Sequence, residues 1–245
     1  EFSNFKKKDH KKKKEILRKV YIANNILRKH ESSIDKDISQ YSESTKYQPM
    51  ETDSELIKEL QQNTFHRQAV TFTVNMTTTQ AIRSYFNVDT DIYALNFASR
   101  NTPGGGYTNG ASAQEEDLCR IIPYLHPTLQ MAQEEGLYPL YNSEVLYTPD
   151  LILKRGEITE KYKLLPIKNY CYVNILSSSA PRVVGKCVEK NILREIFEKG
   201  IKNVLTTPFT YNKQTWNNGR KKIIILGAWG CGAYGNNSSE VAGYF

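Results

Sequence analysis

No apolar run in the 245 residues approaches the roughly 18 needed to span a bilayer as a helix, and no segment has the layout of a secretory signal. A soluble, intracellular protein without a membrane partner is the expectation. Cysteine is scarce. Cys119, Cys171, Cys187 and Cys231 show no CxxC spacing and no histidine at metal-ligand distance, which argues against a zinc site or a disulfide framework and for a reducing compartment. The histidines are equally few: His10, His30, His66 and His126 are scattered, none beside a plausible nucleophile, which disfavours a Ser/His or Cys/His hydrolase. The Walker A pattern is missing too.

Acidic and basic residues nearly balance once one segment is set aside. The formal charge of +7 is concentrated in Lys6, Lys7, Lys8, Lys11, Lys12, Lys13 and Lys14, so the basic pI describes a tail more than the body. The run reads as a solvated helix entry, with nuclear targeting or nucleic-acid contact as the alternative. Behind it, Ile16, Leu17, Val20, Tyr21, Ile26 and Leu27 recur near helical spacing and predict a basic amphipathic helix over 10–30, packed on the body. Residues 31–50 lack periodicity and read as an exposed linker. Thr52-Asp53-Ser54-Glu55 has capping-box spacing ahead of a short helix.

Beyond this extension, 39% apolar residues suffice for one sizeable core. Val70, Phe72 and Val74 alternate with threonines and suggest a first strand; Thr77–Phe86 reads as a helix and Ile92–Phe97 as a buried strand. Pro127 and Gly136 bracket another helix. Two short strands broken at Pro149 are expected between Val145 and Leu153, and one more over Tyr170–Leu176. The helix carrying Val188, Ile192, Leu193, Ile196 and Phe197 is expected to stop at Gly200, with a polar loop from Thr206 to Gly219 before the strand Ile223–Leu226. Strands alternating with helices indicate a layered α/β domain.

Two glycine-rich stretches follow strands. Asn96 ends the first strand, Gly104-Gly105-Gly106 leave the backbone bare, and seven residues later Gln114-Glu115-Glu116 open a helix. Adjacent glutamates at a helix start diverge by roughly 100°, so they do not form the opposed pair of an ordinary glycosidase, whose carboxyls lie about 5 to 9 Å apart. One carboxyl can touch a scissile bond while the other holds hydroxyls; complementing the helix dipole is the alternative. Gln133-Glu134-Glu135 repeats the triplet without a glycine loop and serves as an internal control. The second stretch, Gly227–Gly235, can point successive N–H groups inward as a nest for a diphosphate. Its Gly230, Gly232 and Gly235 satisfy GxGxxG literally, but in the wrong context for a dinucleotide fold. Trp229 reads as core or stacking face, and Tyr234 as a ligand contact.

Together these stretches resemble the microbial-type poly(ADP-ribose) glycohydrolases, whose signature is three glycines, a short spacer and Gln-Glu-Glu. The resemblance runs through Asn75–Thr79, Leu95–Arg120, Val173–Pro181 and Leu226–Phe245, and more weakly through Ile16–Arg28. It implies a macro-domain-like three-layer α/β/α sandwich with a mixed central sheet, here with a helical extension over 1–64 and the catalytic domain over 65–245. That domain is expected to be C-terminally truncated, because family members continue with another helix and strand. Glu116 is implied as the catalytic acid, favoured in its protonated form by burial and by Glu115. Glu115 and Asn96 are implied to bind the distal ribose. Gly104, Gly105, Gly106 and Gln114 would lie close to substrate, while Gly230, Cys231, Gly232, Ala233 and Tyr234 would cradle the diphosphate. The implied activity is hydrolysis of ribose–ribose bonds in poly(ADP-ribose), with ADP-ribose as product, no cofactor and no metal. ADP-ribosylated proteins are the implied partners of a monomer in cytoplasm or nucleus; nucleic acid is not an expected partner. An ADP-ribose-binding module with little turnover and a mono-ADP-ribosyl hydrolase are the alternatives.

Overall fold

In the computed structural model, residues 7–32, 45–48, 69–141, 143–185, 188–212 and 218–245 are described. Helix α1 (Lys7–Ser32) is followed by strand β1 (Lys46–Gln48), α2 (Thr78–Tyr85), β2 (Thr90–Phe97), α3 (Gln114–Ile121) and α4 (Leu125–Glu134). Then come β3 (Val145–Leu153), β4 (Cys171–Ser178), α5 (Lys190–Tyr211), β5 (Lys221–Ile225) and α6 (Ser238–Tyr244). The strands form one mixed sheet in the order β1-β3-β4-β2-β5, parallel at β4–β2 and β2–β5 and antiparallel at β1–β3 and β3–β4.

Alternation along the strands makes three layers. Ile92 and Ala94 of β2, with Val173 and Ile175 of β4, face a core shared with Leu17 of α1, Ile82 of α2, Leu118 of α3 and Leu129 of α4. Tyr93 and Leu95, with Leu176, face the other way, towards Phe197 and Val204 of α5 and Val241 of α6. This period of two is what a sheet covered on both faces requires. No helix among the described residues is long and apolar enough to cross a membrane.

Several sequence expectations are corrected here. Residues 69–77 form no strand, and Val70 and Phe72 are exposed; alternation found no neighbouring strand to pair with. Residues 46–48, read as linker, form the edge strand β1, because Tyr47 both pairs with Leu146 and donates its hydroxyl to Glu144 Oε1 at 2.6 Å. The break at Pro149 is a register shift within one strand, β3, with Asp150 at φ +56°. Gly200 does not end α5. It is buried mid-helix, where a Cβ would stand 2.6 Å from Trp229 Cη2, so it is there for close approach rather than for a cap. Consequently the helix continues through Pro208 to Tyr211, and Thr206 and Thr207 donate to the carbonyls of Lys202 and Asn203 at 2.9 and 2.6 Å in the turn ahead of the proline. The capping sequence at Thr52 lies outside the described residues.

Candidate active site

Parallel strands β2 and β4 end side by side, with Asn96 opposite Ser177, at the strand C-termini where open α/β sheets hold ligands. Asn96 is fully buried. Its Nδ2 donates to Ser177 Oγ at 3.0 Å and to Glu115 Oε1 at 3.5 Å, while Oδ1 has no partner among the described residues. A buried acceptor without a donor is unfavourable unless something else supplies one.

Helix α3 brings its first three residues to this point, each with a different task. Gln114 accepts from Phe97 N–H at 2.9 Å and donates to Leu95 O at 2.8 Å, so its carboxamide is committed to the β2 backbone and ties the helix to the strand. Glu115 accepts from the N–H groups of Ser99 (2.8 Å) and Gly104 (3.2 Å). Glu116 accepts from Gly106 N–H and from Ala113 N–H, both at 2.8 Å. The second of these closes half of a capping box; Ala113 has no side chain to supply the other half. Both glutamates are buried although they belong to an exposed-looking acidic triplet.

The glycine loop lies on these carboxyls. At Gly105, with φ +56°, a Cβ would meet Glu116 Oε1 at 2.6 Å and Glu115 Oε2 at 3.2 Å. Loss of solvent, reinforced by the charge of Glu116 and opposed by the bonds from Ser99 and Gly104, pushes the Glu115 carboxyl up to about 8. Glu115 is the more deeply buried of the pair. Beneath the loop, burial and then Arg28 hold the His126 imidazole down at about 4. Burial and both carboxyls push the Cys119 thiol up, which removes it as a nucleophile.

The second loop starts from Trp229, which is core: it is fully buried, donates from Nε1 to Ser178 O at 3.1 Å and meets Phe197 edge-on. From there the chain turns outward. Among the described residues the N–H groups of Gly232, Ala233 and Tyr234 donate to no protein acceptor, and the space a Cβ would fill at Gly232 is open to 4 Å. Cys231 is half-buried, and its N–H closes a turn onto Ala228 O at 3.1 Å. Gly230 packs on Ala180 and Asn236. The Tyr234 hydroxyl accepts from Arg100 N–H at 3.1 Å, joining this loop to the segment that carries Ser99. Glu134 and Glu135 of the control triplet are exposed at the far end of α4.

Three residues escaped the sequence reading. Ser177 holds Asn96, and its signal was buried in a serine run. Asn236 donates to Pro181 O (2.7 Å) and Gly230 O (2.9 Å) and pins the second loop, with Oδ1 unpartnered among the described residues; an asparagine just after a glycine loop was the available hint. Tyr138 carries a buried hydroxyl without a partner among the described residues, and burial, then the charge of Glu115, raises it above the ordinary phenol range. Nothing in the sequence around Tyr138 marks it.

The sequence model of a family described as "Microbial-type PARG, catalytic domain" matches residues 11–156, from within α1 to beyond β3. No curated protein matches the sequence. Among solved structures, a glutamate-to-alanine mutant of poly(ADP-ribose) glycohydrolase from Thermomonospora curvata is similar at 25% identity and a TM-score of 0.64, covering 84% of this chain and 72% of that one. The same enzyme bound to the inhibitor ADP-HPD is 26% identical, with the same coverage and a TM-score of 0.64. The poly(ADP-ribose) glycohydrolase of Deinococcus radiodurans in complex with ADP-ribose is 25% identical, covering 86% of this chain and 83% of that one, with a TM-score of 0.62.

Proposed function

The chain belongs to the microbial-type poly(ADP-ribose) glycohydrolase family, and from that premise we propose that it hydrolyses the ribose–ribose O-glycosidic bonds of poly(ADP-ribose) and releases ADP-ribose, with Glu116 as general acid and then base. The observation that carries the assignment is the seating of two buried carboxyls under one glycine loop, each fixed by two backbone N–H groups. Such fixed carboxyls cannot swing away, so a bound glycosidic oxygen meets them in one geometry.

In this reading the terminal ADP-ribose lies with its diphosphate on the free N–H groups of Gly232, Ala233 and Tyr234 and with Gly230 and Cys231 shaping the turn beneath it. Its ribose lies over Asn96 and Glu115. The unpartnered Asn96 Oδ1 accepts from a ribose hydroxyl, and Glu115 contributes a second contact. Gly104, Gly105 and Gly106 form the roof, and Gln114 positions rather than touches. The bond breaks as Glu116 protonates the departing hydroxyl oxygen, and the electron pair leaves with that oxygen. Positive charge then develops at the anomeric centre, close to the substrate's own diphosphate. Water attacks that carbon and gives its proton to the Glu116 carboxylate, which restores the acid. Chains carried on ADP-ribosylated proteins are the macromolecular substrates, and we take the enzyme to act as a monomer in cytoplasm or nucleus.

The test is release of ADP-ribose from poly(ADP-ribose), with ADP-ribose binding measured by calorimetry. Glu116→Gln is expected to lower turnover by roughly 10²–10⁴-fold while ADP-ribose still binds; Glu134→Gln and Glu135→Gln are expected to change neither. Undiminished turnover in Glu116→Gln overturns the role of that residue. Binding without release by the parent protein would make it a reader of ADP-ribose, and release from singly modified protein but not from polymer would make it a mono-ADP-ribosyl hydrolase.

A further inference from the structure

The lysine run has no part in the chemistry above, yet its position is informative. Helix α1 does not trail from the body. Leu17 is in the main core, and Asn24 donates to the Tyr107 hydroxyl at 2.9 Å and to the carbonyls of Cys119 and Arg120 at 3.3 and 3.1 Å. The backbone of Lys14 sits against Gly110, just past the glycine roof, leaving no room there for a side chain. One turn ahead of Leu17 on the same face, Lys13 Nζ reaches Ser112 Oγ at 3.5 Å. Ser112 precedes Ala113, whose N–H holds Glu116 Oε2. A short chain of contacts thus runs from the proposed acid to the start of α1.

The contacts around the proposed acid give this end a role. Asn96 bonds Glu115, Ala113 N–H holds Glu116, and Ser112, next to Ala113, meets Lys13, whereas Tyr234 of the second loop bonds Arg100 N–H. On the proposed function the bond to the remainder of the polymer is cleaved at Glu116, and Ser112 and α1 are the elements next to the residue that holds that carboxyl. Residues 11–19 of α1 carry six cations, Lys11, Lys12, Lys13, Lys14, Arg18 and Lys19, against one acid, Glu15. Glu15 is engaged by Lys19 at 3.8 Å, and among the described residues Lys11, Lys12 and Lys14 form no ion pair. All three are exposed. We propose that the lysine-rich start of α1 is a polymer-binding surface that holds the diphosphates of the chain on the leaving-group side of Glu116, so that long poly(ADP-ribose) is preferred over short. The proposal rests on the glycohydrolase reading for its substrate class, and it differs from a nucleic-acid role because the surface adjoins the acid rather than a groove of its own.

The experiment compares the parent with a variant in which Lys11, Lys12, Lys13 and Lys14 are all glutamine, a substitution that keeps helix propensity. Losing these contacts is expected to raise KM for long polymer roughly tenfold and to flatten its dependence on salt by two to three in logarithmic slope, about 0.7 per phosphate on a single strand. The saturated rate and the affinity for free ADP-ribose are expected to stay unchanged. Lys199→Gln/Lys202→Gln, on exposed positions of α5 across the sheet, controls for net charge. Unaltered KM and salt slope in the lysine variant overturn the proposal, as does an equal effect per charge from the α5 pair, or DNA single strands that compete as well as polymer of equal length. The same lysine changes placed in Glu116→Gln, with retention of long polymer measured directly, decide the matter without turnover. Should the parent release no ADP-ribose, that binding result still separates a failed surface from a failed enzyme.

Discussion

The two glycine loops use one residue type for opposite ends. In the first, the Cβ positions of Gly104, Gly105 and Gly106 would each lie 2.6 Å from a protein atom, on His126, Glu116 and Ala111 respectively. The absent side chains let the backbone descend onto the protein's own groups, and the N–H groups of Gly104 and Gly106 are donated to Glu115 and Glu116. In the second loop, Gly230 and Gly235 also close on protein, but Gly232 faces open space and its N–H has no acceptor among the described residues. One loop is filled from inside, the other left to be filled from outside. Counting glycines cannot distinguish them, because the same φ freedom and bareness serve both.

Substitution at matched positions sharpens that contrast. Gly105→Ala is expected to have the largest effect. It puts a methyl into the Glu116 carboxyl at a left-handed backbone position, costing about 1–2 kcal/mol from the conformation alone, and it should lower turnover about a hundredfold together with Tm. A variant with full activity and unchanged melting would break the claim that the first loop is packed from within. Gly232→Leu is expected to do the reverse: unchanged melting, with ADP-ribose affinity weakened roughly tenfold, or ~1.4 kcal/mol. Equal affinity in the folded variant would remove the diphosphate from the second loop.

A further test concerns protons. The Glu115 carboxyl is raised in the folded chain from its ordinary 4.5 to about 8, so the folded state holds that proton more tightly than the unfolded one. Its stabilising contribution is therefore complete below the ordinary value and is lost as pH rises towards 8. His126, lowered from 6.5 to about 4, acts on the other limb, losing its contribution as pH falls through that range. Melting followed across this range should show Tm falling on the alkaline side by roughly 2–4 °C for each kcal/mol of ionisation penalty, and Glu115→Gln should flatten that limb alone. An unchanged alkaline limb in the variant would place the buried proton elsewhere. The second loop carries no such buried acid, so Gly232→Leu should leave the pH profile of stability as it is.

Much of this was legible in the chain itself. Periodicity placed α1, α2, β2, α4 and β4 within a few residues, since each has one apolar face or an apolar run and clear ends. The spacing from Gly104 to Glu116 marked the site, because a bare loop followed by acids at a helix start leaves a readable trace. Where alternation lacked a partner, as at Val70–Val74, or a glycine sat inside a helix for packing, as at Gly200, local reading failed. Both outcomes depend on what lies opposite in space.

By itself, then, the sequence determined most of the helices and the central strands, that Glu115 and Glu116 open a helix behind a glycine loop, and the family to which the chain belongs. Only the tertiary structure decided that Gln114 is tied to β2, that Glu115 rather than Glu116 is the deeper acid, that Trp229 is core, and that Lys13 reaches Ser112. The physical reason is common to all four. Spacing along a chain fixes which way a side chain points from its own element, whereas burial, hydrogen-bond partner and proton affinity are set by residues remote in sequence: Leu95 and Phe97 for Gln114, Ser99 and Gly104 for Glu115, Phe197 and Gly200 for Trp229, and Ser112 for Lys13.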